Sequence, residues 1–168
     1  MVHYYFRKRD QLIDAVVAER MGPIIAHIWD PVTQTDDIES LLTGFAARVM
    51  QAAERHSWLA SLWLKEVVSE GGLLRARLVK LLPVERLQHL MISVNAAQRA
   101  SLISGDLDPR LVVATILGLT MFPMAALPVL QELPGVRGID SQHIGRHANA
   151  IIRGLLIERP DRRRKVKP

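Results

Sequence analysis

The sequence predicts an all-α protein of about seven helices, and three observations carry that prediction. Apolar residues recur at three- and four-residue steps along almost the whole chain, the spacing that stacks side chains on one helix face. Gly, Pro and Asp punctuate these runs at intervals suited to helices. No stretch shows the alternation of a half-buried strand. With 168 residues, 49% of them apolar, the chain can bury one sizeable core, which excludes a wholly disordered polymer.

The first helix is expected to begin near Arg9, with Leu12, Ile13, Val16, Val17, Met21, Ile24, Ile25 and Ile28 on one face. Pro23 after Gly22 predicts a kink in it, and Asp30-Pro31 its end. A second helix opens at Asp36, with Glu39 three residues on as a capping-box partner, and runs to about His56. Ser57 is placed to cap a third, from Trp58 to about Ser69, apolar on most sides and ended by Gly71-Gly72. A fourth stretch, Leu73 to about Ile103, is interrupted at Pro83. Gly105 to Pro109 reads as a turn that places Pro109 in a first helical position. Leu111 to Leu133 and Ser141 to about Glu158 complete the set.

Charge is divided unevenly. The last ten residues carry six of the 22 basic groups and one of the 17 acids. The formal charge of +5 therefore belongs to this tail, 159–168, which is expected to be solvated and disordered, and the rest of the chain balances. That distribution argues against a protein that coats nucleic acid. The absence of cysteine excludes disulfides, a thiolate nucleophile and cysteine-ligated metal, and is compatible with the cytoplasm. No phosphate loop, metalloprotease helix, nucleophile elbow or triad is legible, so no enzyme and no cofactor are expected. His143 and His147 lie four apart but lack an acidic third ligand, and are read as exposed residues rather than a metal site. Leu111 to Leu130 is uncharged and long enough to cross ~30 Å of hydrocarbon. Two prolines near one end, and amphipathic helices elsewhere, favour a helix buried on one side in its own subunit and on the other in a partner, with no membrane.

His3-Tyr4-Tyr5-Phe6-Arg7-Lys8-Arg9-Asp10-Gln11-Leu12 is an aromatic-basic cluster directly ahead of an amphipathic helix. Such groups, with the N–H donors of a helix start, suit DNA phosphates. This segment resembles the end of the helix-turn-helix in the TetR/AcrR family, a Tyr-x-His-Phe-x-x-Lys-x-x-Leu pattern. Phe6 and Leu12 match, Arg9 replaces the Lys, His3 stands at the usual Tyr and Tyr5 at the usual His. The resemblance is specific over about ten residues and architectural over the remainder. It implies that residues 1–8 are a remnant of the DNA-binding domain and residues 9–158 a ligand-binding and dimerisation domain. His3, Tyr4 and Arg9 would then contact DNA phosphates, with Phe6 in the core. Two further helices and most of the recognition helix would lie upstream of Met1. A misassigned start, a shortened chain or a headless gene would each explain this, and DNA binding is expected only with those helices restored.

Within the family the two final helices pack on their symmetry mates as a four-helix bundle, implying a homodimer. The stripe of Ile144, Ala148, Ile151, Ile152, Leu155 and Leu156, with Leu119 on the preceding helix, is assigned to that interface. Phe45, Met50, Trp58, Trp63, Met91, Met121 and Phe122 concentrate bulky adaptable groups in the middle helices, with Met124 among them. Together they suit a pocket for a small apolar or aromatic effector, oriented by His89, Asn95 or Gln98. The reading is a ligand-responsive transcriptional regulator in which effector binding is coupled to DNA release. The alternative is a stand-alone helical small-molecule-binding or protein-interaction module without DNA binding.

Overall fold

The computed structural model describes residues 9–30 and 37–156. Seven α-helices and one π-helical segment make up most of the described residues: α1 Arg9–Trp29, α2 Ile38–Arg55, α3 Leu59–Leu62 passing directly into the π-segment Trp63–Val68, α4 Arg75–Leu81, α5 Val84–Arg99, α6 Val112–Glu132 and α7 Ser141–Gly154. Among the described residues there is no strand, only an isolated bridge between Ile103 and Leu156. The all-α, seven-helix expectation holds.

α2 is the hub. Its apolar residues, Ile38, Leu41, Leu42, Phe45, Ala46, Val49, Met50, Ala52 and Ala53, are all buried and form one broad face, about half its circumference. The small alanines let neighbours approach, and α1, α5, α6 and α7 all pack on it. Asp37, not Asp36, caps α2: its carboxylate accepts the Ser40 N–H at 2.8 Å, and these bonds hold its pKa below the usual carboxylate value. Glu39 consequently occupies the second helical position, one short of a reciprocal capping box.

α1 runs antiparallel to α2. Three pairings set the register: the Trp29 and Phe45 rings meet edge to face at 4.9 Å, Arg48 Nε donates to the Ile28 carbonyl at 2.8 Å, and His27 hydrogen-bonds Gln51 at 3.0 Å. Arg48 is partly buried and its pKa is lowered by that burial, while Gly44 leaves the room its guanidinium occupies. Salt bridges hold α1 from the other side. Arg77 of α4 reaches Asp14 at 2.5 Å and Asp10 at 3.1 Å, and Arg86 of α5 pairs with Asp30. The helix continues through Pro23 without a break.

The third helix departs most from expectation. Its start has no side-chain cap, so Ser57 does not serve, and after one turn the backbone widens to π geometry. The turn that follows folds back closely on this segment. A Cβ at Gly72 would stand 2.2 Å from the Glu66 carbonyl oxygen, so only glycine fits there. The Glu66 carboxylate accepts the Leu73 N–H, and the Arg75 guanidinium donates to the carbonyls of Val67, Val68 and Ser69. One cation thus satisfies carbonyls that the end of a helix leaves open.

Leu82 is extended (ψ 130°), as a residue before proline should be, and divides α4 from α5 at Pro83. α5 stops at Arg99, short of Ile103, because Ser101 adopts a left-handed conformation (φ 54°) and turns the chain inward, burying Ile103. Pro109 lies in the turn ahead of α6 rather than in its first helical position. Asp108 there accepts from the Arg110 side chain and N–H, which hold its pKa down to about 2. Asp140 caps α7 by accepting the His143 N–H at 2.9 Å, and the last described helix ends at Gly154.

Candidate ligand cavity and exposed helix face

Between α1 and the rest of the bundle lies a cavity of about 130 Å³. Met21, Ile24, Ile25, Ile28 and Trp29 of α1 form one wall; Phe45 and Val49 of α2 form the next. Trp63 and Val67 of the π-segment, Leu78 and Val79 of α4, and Val113, Leu117 and Met121 of α6 complete the lining, which stays partly open to solvent. Every lining side chain is apolar or aromatic. Apolar cavities of about this size stay dry and accept a single-ring hydrocarbon. The chemistry on offer is therefore dispersion and desolvation, with selection by shape.

Of the residues assigned to a pocket from the sequence, Phe45, Trp63 and Met121 meet at this cavity. The other four do not. Met50 packs toward α7, where a Cβ at Gly145 would lie 4.0 Å from its methyl carbon. Trp58 is 43% exposed and lines a separate open groove beside α1, its ring tilted against that of His56. Met91 is half-buried on α5, outside the cavity, and Phe122 is 60% exposed. The suggested polar orienters are also elsewhere. Gln98 donates its amide to the Ser104 and Leu107 carbonyls, Asn95 donates to the Met91 carbonyl, and His89 Nε2 is buried without a hydrogen-bond partner among the described residues. The α1 residues that build the largest wall were legible as an apolar face, but not as the face toward a void.

The interface residues divide similarly. Ile144, Ala148 and Ile152 are buried within the chain itself, because α7 lies along α2 and spends its apolar stripe on the core. Ile151, Leu155 and Leu119 are half-buried. The longest row of uncovered apolar positions runs along α6 and its flanks. Leu111, Thr115, Gly118, Phe122, Val129 and Leu133 recur at helical steps along one exposed side, while Val112, Ile116 and Thr120 face the core. Thr120 is completely buried, and its hydroxyl donates to the Ile116 carbonyl at 2.7 Å. By length and composition α6 is apolar enough to cross a membrane, and only 22% of its most apolar stretch is buried within the chain. His147 and the small residues Ala150 and Gly154 are exposed on α7, and His143 pairs with Asp140 at 2.6 Å.

His3, Tyr4, Tyr5 and Phe6 lie outside the described residues, as do Asp36 and the basic tail; Arg9 begins α1. Compared with known proteins, the chain matches no family model, and no curated protein matches it.

Proposed function

We propose that this chain is the effector-binding and dimerising part of a cytosolic, homodimeric transcriptional regulator of TetR type, with α1 as the lever toward a DNA-binding head. The observation that carries this reading is the position of the cavity: five α1 side chains form one of its walls. A small apolar or aromatic effector bound there bears directly on α1, and one larger than a single ring fits only if α1 shifts against α2 and α4. The lever is 21 residues long, or ~32 Å, so a small tilt at the cavity becomes a larger displacement at its far end. Recognition helices of a dimer must sit ~34–36 Å apart, and such a displacement spoils both half-sites together. Coupling follows because effector and operator favour different tilts.

The uncovered stripe on α6 supports the homodimer, since a two-fold axis beside it would bury the same apolar row from both copies. DNA binding is assigned to a helix-turn-helix preceding α1, and is expected only of a protein that carries one. The test is operator affinity of such a protein with and without a panel of single- and double-ring apolar compounds. The reading predicts weaker operator binding with at least one compound that also raises the melting temperature of the chain. Unchanged operator affinity across the panel refutes it.

A further inference from the structure

Beside the apolar cavity, on a neighbouring face of α1, runs an open groove of about 960 Å³, a volume suited to a whole small molecule. The two spaces share Met21 and Ile24 as a common wall. Unlike the cavity, the groove is amphipathic, and the register of α1 against α2 shows how. The pairings Trp29–Phe45, Ile28–Arg48 and His27–Gln51 descend along α1 as they ascend along α2. Continued for two turns, they bring Arg20 abreast of Arg55 and His56, all three of which line the groove. Beyond that point the lining becomes apolar: Leu12, Ile13 and Val16 of α1 against Trp58, Leu62 and Leu74. From Arg20 to Leu12 the helix advances ~12 Å.

The charges at the polar end are unmatched. Among the described residues neither Arg20 nor Arg55 forms an ion pair. Glu19 is the single acid on the lining, against two guanidiniums and the imidazoles of His27 and His56. At the other end Val16 is 50% exposed and Trp58 43%, an apolar surface left to water.

We propose that this groove binds an amphipathic anion, a hydrocarbon chain ending in a carboxylate, with the carboxylate between Arg20 and Arg55 and the chain laid toward Leu12. A guanidinium offers a carboxylate paired, charge-assisted hydrogen bonds, and the apolar trough removes the chain from water. The ligand differs in class from the one suited to the dry cavity, and this assignment does not rest on the regulatory reading.

Calorimetric titration of the full chain with sodium decanoate and with decanol tests it. Decanoate binds, and decanol binds about tenfold more weakly because it lacks the charge-assisted bonds. In the Arg20→Ala/Arg55→Ala double variant, whose fold is checked by thermal melting, decanoate falls to the level of decanol. Val113→Phe, which narrows the dry cavity but lies outside the groove, leaves decanoate affinity unchanged. Equal binding of acid and alcohol by the native chain overturns the proposal. So does undiminished decanoate binding by the double variant, or its loss in Val113→Phe. A chain that takes up neither compound but self-associates until Val16→Glu disperses it also overturns the proposal, with a second copy as the occupant.

Discussion

Phe122→Glu separates the two uses of apolar surface in this molecule. The side chain sits midway along α6 and is 60% exposed, so the chain's own core gains little from it. Phe carries on the order of 150–250 Å² of surface, of which 60% leaves about 90–150 Å² for a partner to cover. At ~25 cal/mol per Å² that is roughly 2–4 kcal/mol per copy. A two-fold interface repeats the contact, so removing it from both copies costs roughly 4–8 kcal/mol of association. Two glutamates brought together add the penalty of burying unpaired charge. The dimer dissociation constant should therefore rise at least about a thousandfold. Sedimentation velocity across a concentration series, in buffer without detergent, reads this directly, while thermal melting followed by circular dichroism checks the fold. A native chain that is monomeric throughout, or a variant that dimerises as tightly as the native chain, refutes the placement of the interface. A native chain recovered only with detergent replaces the second copy with lipid.

Other perturbations test the fold and cavity. Phe45→Ala removes a ring that is 1% exposed and edge-on to Trp29, and should cost about 3–5 kcal/mol in denaturant unfolding while enlarging the cavity. Uptake of a bicyclic hydrocarbon by the variant, absent from the native chain, would show the enlargement. Gly72→Ala places a methyl carbon against the Glu66 carbonyl, so it should lower the melting temperature and increase amide exchange over 63–75; a variant as stable as the native chain would exclude the close approach. Asp37→Ala deletes the α2 cap at a cost of about 1 kcal/mol at neutral pH. Because the folded pKa of Asp37 lies below the ordinary 3.8, this contribution is complete above that value and lost as pH falls through the lowered one. Native and variant unfolding curves should converge there.

Periodicity made the helices legible because each buries one face, and α2 and α7 show the required spacing plainly. It did not reveal which partner each face meets. The Ile144, Ala148 and Ile152 stripe has the form of an interface, yet α7 buries it on α2. α6, apolar on every side, carried no directional signal at all, so its outward row became visible only when Val112, Ile116 and Thr120 were seen to face inward. The π-segment was illegible for another reason: a shift from α to π geometry, and the close backbone approach of Gly72 to Glu66 beside it, leave no mark in a hydrophobic pattern. Residue size suggested Phe45, Trp63 and Met121 for the cavity and equally suggested Phe122, since bulk and polarizability do not distinguish an inward from an outward position.

The two ends of α1 are anchored by forces that respond differently to the medium. Toward its start, Arg77 grips Asp10 and Asp14, carboxylates that are 78% and 60% exposed and therefore open to screening by dissolved ions. Toward its finish, the Arg86–Asp30 pair is open to the same screening, but the part-buried Arg48 bond to Ile28 and the Trp29–Phe45 contact beside it are shielded from salt. Raising ionic strength should thus loosen the first turns while the last stay clamped, which makes the rod a cantilever whose free length is set by the electrolyte.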